Sequence, residues 1–157
     1  MTELPVPEKR SDLQKIPSPM FSLNDVLRES LRALYENPGV VVRCEPLPFI
    51  SGKKDELVRL FNMLIAMITG FKPAASKLFL YVDCNEGAAN LHSGPGFRNF
   101  VIKFHTSITT SEAWKEQHKD ILSDCEKIVT EHKGKFQVNN ISNTGCLFAI
   151  SLAGKFA

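Results

Sequence analysis

The residues of this sequence best suited to metal or redox chemistry are four cysteines, and their spacing decides what they can do. Zinc sites and redox sites need cysteines or histidines at short intervals, as in a C-x-x-C motif. Here the cysteines are far apart and no histidine lies at ligand spacing; they are Cys44, Cys84, Cys125 and Cys146. We therefore predict no metal site and expect small, buried core thiols.

Two other patterns resemble catalytic or binding sites. Ser93-Gly-Pro-Gly96 has the glycines of a phosphate-binding loop, but no helix follows it, so we predict a surface turn. General acid–base chemistry needs positioned, paired groups. The acids around the predicted strands and helices show no such pairing; they are Asp83, Glu86, Asp120 and Asp124. We predict no catalytic residue from these patterns.

Length and composition limit the classes of function. The chain has 157 residues, enough for one domain with a real core, and its net charge of +2 comes from 19 basic and 17 acidic residues that are mixed along the sequence. We therefore expect no nucleic-acid partner. The longest apolar stretch, 60–68, is far shorter than the roughly 20 residues of a membrane span, and the start of the chain lacks a signal peptide. We expect no membrane partner and a cytoplasmic location.

The first 20 residues contain four prolines among charged residues, which predicts a disordered tail or linker over 1–20 and a folded domain over 21–157. Three helices are predicted within that domain. The first is capped by Ser22 and stops at Asn37-Pro38-Gly39, and the third covers 111–133 with a break near Gln117. The second shows the clearest apolar stripe, at Leu57, Leu60, Phe61, Leu64, Ile65, Ile68 and Phe71.

Five strands are predicted from β-branched and aromatic runs between turn residues. They cover 40–42, 77–82, 97–105, 136–138 and 146–152. The element order is helix, strand, helix, strand, strand, helix, strand, strand. This order predicts an α+β fold, a two-layer α/β sandwich with a mixed, mostly antiparallel sheet and about three helices on one face.

Four passages, in this order and spacing, resemble the ATP-binding domain of sensor histidine kinases. The resemblance covers roughly 20–153 and is nearest to the phytochrome-type kinases. Its passages are 21–30 (similar to "v-d-L-n-e-v-l"), 44–61, 125–134 (similar to "k-I-V-e-x-H-g-G") and 144–152 (similar to "G-T-x-F-x-f-x-L-P"). The resemblance implies the Bergerat-type ATPase fold that gyrase and MutL share.

The resemblance also shows where the family's magnesium ligand should lie. The family helix L-F-Q-N-L-I-x-N-A-I-K-F carries two asparagines, the second of which ligates the Mg²⁺ of ATP. In the matching run 60–71, Met63 and Met67 replace the asparagines and Gly70 replaces the lysine. Asn62 lies one position before the first asparagine, but the Leu60-Phe61 anchors fix the alignment. A thioether is a poor ligand for magnesium, so we expect these positions to be vestigial.

The other two nucleotide motifs of the family are also missing. The family's D-x-G-x-G motif, which binds adenine, is replaced by 105–110, where Thr106 is nearest to the aspartate position and there is no acid or glycine. The glycine-rich phosphate loop corresponds to 117–122, which we predict to continue a helix. Trp114 lies in a mixed helix that we expect to be exposed, with Trp114 as a candidate partner contact.

Histidine kinases carry their phosphoacceptor histidine on a separate two-helix element. None of His92, His105, His118 and His132 lies on such an element, and His132 matches a helix-end position of the family. We expect His132 to be structural.

Three functions follow from the resemblance. The first is a degenerate domain without a cofactor that binds a signalling protein, either a kinase dimerisation domain or a response regulator. The second is a working catalytic domain that uses Mg-ATP, with the phosphoacceptor supplied elsewhere. The third is an anti-sigma or serine-kinase-type regulator on the same fold. The sequence leaves the oligomeric state open.

Overall fold

The computed structural model describes residues 20–32, 34, 39–70, 77–90, 92–107, 112–141 and 145–156, without the side chains of 70, 140 and 141. Most of the predicted tail, the predicted stop signal at Asn37-Pro38 and the last stripe residue, Phe71, lie outside these ranges. The tail and the domain boundary therefore stay predictions.

Four helices lie within the described residues: α1 (Leu23–Leu31), α2 (Lys54–Gly70), α3 (Glu112–Gln117) and α4 (Lys119–Glu131). Helix α1 begins where predicted, because the Ser22 hydroxyl accepts a hydrogen bond of 3.2 Å from the Asn24 amide. The third predicted helix is broken at His118 into α3 and α4, as the sequence indicated near Gln117.

In the part of the chain that the structure describes, seven strands form a single sheet, two more than the sequence predicted. They are β1 (Met20–Ser22), β2 (Val40–Cys44), β3 (Phe49–Ser51), β4 (Leu78–Ala89), β5 (Arg98–Thr106), β6 (Lys135–Ile141) and β7 (Gly145–Lys155). The strand order is β1-β3-β7-β5-β4-β2, and β6 also pairs with β7. Strand β2 runs parallel to β4 and all other pairs are antiparallel, which confirms the predicted mixed, mostly antiparallel sheet.

Strand β4 is longer than predicted, because Asp83–Ala89 continues the ladder with β5. The sequence placed Asn85-Glu-Gly87 in a connection, which is wrong. The guanidinium of Arg98 on β5 holds this polar extension: its Nε lies 2.7 Å from the Glu86 carboxylate and donates a 3.0 Å hydrogen bond to the Gly87 carbonyl. The connection is thereby shortened to the turn that contains Ser93–Gly96.

The core lies between the helices and one face of the sheet. Alternate residues of the long strands point into it, among them Phe100, Ile102 and Phe104 of β5. The predicted stripe of α2 is buried, with Leu57, Leu60, Phe61, Leu64, Ile65 and Ile68 all at most 5% exposed. The opposite face of the sheet is open, since Phe79 is 53% exposed there. The α+β, two-layer prediction is confirmed.

No helix among the described residues is long and apolar enough to cross a membrane.

Candidate functional site

Two positions that resemble the family's nucleotide site, Met67 in the carboxyl half of α2 and Thr106 at the end of β5, lie toward the same end of the sandwich. Helix α2 begins beside β3, near the carboxyl end of β7, and the Phe61 ring of α2 then lies 5.3 Å from the Phe104 ring of β5. From there the carboxyl half of α2 runs toward the end of β5, where Thr106 pairs with Cys146 at the start of β7. We call this region, defined by Met67, Thr106 and Cys146, the Thr106 end.

The side chains at the two asparagine positions are packed rather than presented to a cleft. Met67 is 3% exposed and belongs to the hydrophobic core, and Met63 packs against that core as a half-buried side chain. Asn62 is exposed, so the amide one step away lies on the solvent side of α2. Gly70 is the last residue of α2 and has no side chain that could replace the family's lysine.

The position nearest to the adenine-binding aspartate is also buried. Thr106 is 7% exposed, and its hydroxyl donates a 3.4 Å hydrogen bond to the Cys146 carbonyl oxygen. The backbones of β5 and β7 are tightly packed here, because a β-carbon on Gly145 would overlap the Thr106 carbonyl oxygen. A hydroxyl bonded across two strands cannot supply the carboxylate that would accept a hydrogen bond from the adenine amino group.

Trp114 is not the exposed docking anchor that the sequence suggested. It is 2% exposed, its ring stacks on His118 at 4.4 Å, and it meets Phe148 edge-on at 6.2 Å. The interpretation as an exposed contact is therefore wrong, because Lys115 and Glu116 face outward while the indole faces the sheet. Helix α3 has only six residues, too few for a periodic pattern to reveal its buried side.

Trp114 completes a series of aromatic rings across the helix side of the sheet. Phe61 of α2 meets Phe104 of β5, Phe104 pairs across strands with Phe148 of β7, and Phe148 meets Trp114 of α3. The series joins two helices to the two neighbouring central strands β5 and β7. Aromatic packing of this kind buries a large apolar area, so it fixes the positions of α2 and α3.

The segment that corresponds to the phosphate loop is helical. Gln117 ends α3, His118 forms the turn, and α4 begins at Lys119. The imidazole Nδ1 of His118 lies 2.9 Å from the Trp114 carbonyl oxygen, and the Leu122 amide donates to the His118 carbonyl at 2.9 Å. The amides of His118 and Leu122 are thus bonded to carbonyls of helical turns. The segment is helical on both sides of a turn at His118 and does not form an open loop.

The four histidines have separate environments. His92 is exposed, His105 lies 3.1 Å from the Asp83 carboxylate on the open sheet face, and His118 stacks on Trp114. His132 caps α4: its Nδ1 lies 2.9 Å from the Ile128 carbonyl, and its Nε2 accepts a hydrogen bond of 3.1 Å from the Lys53 amide. The structural role expected for His132 agrees with these two bonds.

The cysteines only partly match their prediction. Cys125 and Cys146 are buried, Cys84 is half-buried, and Cys44 is exposed at the end of the edge strand β2, so the expectation of a buried thiol is wrong for Cys44. All four are free thiols. Among the described residues no group of three metal-ligating side chains comes together.

No protein-family model matches the sequence, and no curated protein matches it either. Solved structures do resemble the fold. The catalytic domain of histidine kinase ThkA has a TM-score of 0.67 at 15% identity, over 89% of this chain and 97% of that one. The mycobacterial sensor histidine kinase MprB has a TM-score of 0.65 at 14% identity, over 89% and 99%.

The ATP-binding domain of PrrB from Mycobacterium tuberculosis has a TM-score of 0.66 at 14% identity, over 88% of this chain and 98% of that one. At such identities the likeness shows the fold. The chain therefore has the fold of histidine-kinase catalytic and ATP-binding domains over nearly the whole of its described length, as the resemblance implied.

Proposed function

We propose that this chain, with the fold of a histidine-kinase ATP-binding domain, is a degenerate domain of two-component signalling that binds another signalling protein and does not hydrolyse ATP. One observation carries the proposal. At the Thr106 end, Met67 at the magnesium position is buried in the core, and Thr106 at the adenine position is buried and bonded across two strands. A preserved scaffold without its nucleotide chemistry is suited to protein binding.

The magnesium position gives the chemical part of this proposal. Mg²⁺ needs hard oxygen ligands in near-octahedral geometry and gives up its water shell reluctantly. The thioether of Met67 is a soft, weak ligand, and at 3% exposure it is not accessible to a hydrated ion. Methionine fills irregular apolar gaps, which supports the view that Met63 and Met67 pack the space that the family uses for its ligand.

The proposed partner is a kinase dimerisation domain or a response regulator, and the proposed location is the cytoplasm. Support for this partner class comes from the fold, because domains of this architecture are the catalytic parts of histidine kinases. Trp114, being buried, is not proposed as the contact. The alternative functions, a working Mg-ATP-dependent kinase domain and an anti-sigma or serine-kinase-type regulator, both require the nucleotide site.

Titration calorimetry with Mg-ATP and with Mg-ADP tests the loss of the site. We expect no saturation at ligand concentrations up to about 1 mM. A dissociation constant of about 1 mM corresponds to a binding free energy of only about −4 kcal/mol. A micromolar constant, about −8 kcal/mol, would show an intact site and would overturn the proposal in favour of the Mg-ATP-dependent alternatives. Transfer of the γ-phosphate to histidine or to serine would then distinguish those two.

A substitution at the magnesium position provides a second test. Met67→Asn restores the family's ligand type, and Met67→Leu is a control of similar volume and apolarity. If the Thr106 end is a closed former site, neither variant binds Mg-ATP more tightly than about 1 mM, because the adenine and phosphate positions are still missing. Saturable micromolar binding by Met67→Asn alone would mean that the rest of the site is intact.

The protein-binding half of the proposal has its own measurement. Biolayer interferometry against the dimerisation domains and receiver domains encoded beside this chain should give saturable binding to at least one of them. Binding to none of them would overturn the partner assignment and leave the loss of the nucleotide site standing.

A further inference from the structure

A large cleft lies at the end of the sandwich opposite to the Thr106 end. It has a volume of about 950 Å³ and lies between β3, the carboxyl end of β7, the Ser93–Gly96 turn and the end of α4. We call it the Lys155 cleft, after the last residue of β7. Its volume is at the upper end of the range for small-molecule sites, about 300–1,000 Å³. None of the positions that match the nucleotide motifs lines it.

The base of the Lys155 cleft is apolar and one wall is aromatic. Ile50 and Leu152, which are 1% and 4% exposed, lie between the cleft and the core. Phe97 forms part of the wall beside the turn, and the ammonium group of Lys155 lies 5.1 Å from the centre of its ring. An apolar surface with a cation beside an aromatic ring suits a ligand that has both an apolar body and a negative charge.

The wall on the helix side is held rigidly by His132. Because the Lys53 amide can only donate, Nε2 of His132 accepts that bond and Nδ1 carries the proton that is donated to the Ile128 carbonyl. The ring leaves no room at Gly52, where a β-carbon would lie 2.5 Å from Cδ2 of His132. The loop before α2 and the end of α4 are therefore fixed to each other, and the cleft is formed before any ligand arrives.

Lys133 has a backbone conformation that usually belongs to glycine. Its φ is +62°, and it follows α4 in a Schellman motif, with its own amide bonded to the Thr130 carbonyl and the Gly134 amide bonded to the Val129 carbonyl. The family string "H-g-G" has glycine at this position. The chain thus places a lysine at the edge of the Lys155 cleft in spite of an unfavourable backbone, and strained residues of this kind concentrate at binding sites.

The charged residues around the cleft indicate the charge of the ligand that it suits. Three lysines and two glutamates line it: Lys53, Lys133, Lys155, Glu56 and Glu131. Lys53 is paired with Glu56 at 3.6 Å, which leaves Lys133, Lys155 and the single carboxylate of Glu131 in the lining, so one positive charge is in excess. A monoanion would balance that charge.

We propose that the Lys155 cleft binds a small monoanion with an aromatic or acyl body, its anionic group held by Lys133 and Lys155 and its body placed against Phe97, Ile50 and Leu152. The proposal goes beyond the signalling function and does not depend on it, because the cleft and the Thr106 end share no residue.

Two matched probes test the charge requirement. Anilinonaphthalene sulfonate is an aromatic monoanion, and phenylnaphthylamine has the same rings without the sulfonate. With the 157-residue chain, we expect the sulfonate to bind at least about tenfold more tightly than the amine, because only the sulfonate can form a charge-assisted hydrogen bond with a lysine. In two-dimensional amide NMR spectra, its shift changes should be largest at Gly52, Phe97 and residues 152–155.

Variants locate the contact. Lys155→Gln and Lys133→Gly should each weaken binding of the sulfonate by about tenfold, whereas Lys127→Gln, which removes an exposed lysine of α4 outside the cleft, should leave it unchanged. Glycine suits the left-handed backbone at residue 133, so Lys133→Gly is expected to melt at or above the temperature of the unaltered chain. That measurement separates loss of binding from loss of the fold.

Three results would overturn the proposal: equal affinity for the two probes, equal effects of the cleft variants and Lys127→Gln, or shift changes at the open sheet face around Val41 and Phe79. Nucleotide binding is distinguished by position. Shift changes at Met67 and Thr106 on adding Mg-ATP would contradict the proposed function and leave the proposal for the Lys155 cleft unaffected. If the sulfonate does not bind in the cleft, the cleft proposal is overturned and the proposed function is unaffected.

Discussion

At the scale of single residues, function and fold depend on different positions. In α2, Leu60, Phe61 and Leu64 are fully buried in the core, whereas Met63 and Met67 stand at the positions that resemble the family's ligands. The sequence could reveal these substitutions because the anchors on either side fix the alignment. It could not show that Thr106 is bonded to the Cys146 carbonyl, since that contact joins residues 40 apart.

Cys125 makes the stability of the protein depend on pH. Burial raises the pKa of its thiol to about 12, the Asp124 carboxylate adds to the rise, and Arg59 lowers the value. An unfolded thiol titrates near about 8.5, so above that pH the unfolded chain loses a proton that the folded chain keeps. The stabilisation is complete below about pH 8.5 and is lost as the pH rises towards the folded pKa, by up to about 1.4 kcal/mol per unit.

Urea unfolding in reducing buffer at about pH 8 and about pH 10 measures this dependence. The loss of stability between the two should be smaller in Cys125→Ala by about 1–2 kcal/mol. Part of the loss should persist, because partial burial also raises the pKa of Cys84. An identical loss in both proteins would show that the Cys125 thiolate is tolerated in the core.

At the scale of elements, long periodic segments could be predicted and short ones could not. The stripe of α2 and the β-rich runs of β5 and β7 are long enough to reveal their buried faces. Strands β1 and β3 have three residues each, and they exist because β3 pairs with both β1 and β7. The polar half of β4 likewise depends on its partner, through the contacts of Arg98, and no local pattern contains that information.

Trp114 should be the main anchor of helix α3. Its indole is buried against Phe148 and His118. Trp114→Ala should therefore lower the free energy of unfolding by about 3–5 kcal/mol. Trp114→Phe should lower it by less, because a ring remains beside Phe148. Glu116→Ala, at an exposed position of the same helix, should change it by no more than about 0.5 kcal/mol. Urea unfolding compares the three variants. A loss for Trp114→Ala as small as that for Glu116→Ala would contradict the packing.

At the scale of the whole molecule, strand β7 organises the sheet. It pairs with β3, β5 and β6, and its inward residues, from Cys146 to Leu152, lie in the core. Strand β2 lies at the edge and pairs with β4 alone among the described strands. This arrangement explains how a chain with about 15% identity keeps the fold of histidine-kinase catalytic domains: the packing pattern is preserved, and the ligand chemistry is not needed for it.

Amide hydrogen exchange should follow this organisation. The amides of Ile102, Phe104, Phe148 and Ile150, in the central strands β5 and β7, should exchange at least about tenfold more slowly than those of Val41 and Arg43 in β2, because edge strands open without global unfolding. NMR-detected exchange at constant pH provides the measurement. Equal protection in β2 and β7 would indicate that the edge of the sheet is covered in solution.

The strand pairing around β3 also affects how the protein should be handled. Met20 pairs with Ser51 on one side of β3, and Gly154 pairs with Ile50 on the other, so the two ends of the region that forms the sheet are about 10 Å apart. Both Met20 and Lys155 line the Lys155 cleft. An affinity tag fused to either end of this region would therefore emerge beside the cleft, where a polyhistidine tag could compete with a small ligand. The tag should therefore be cleaved before ligands are screened against the Lys155 cleft.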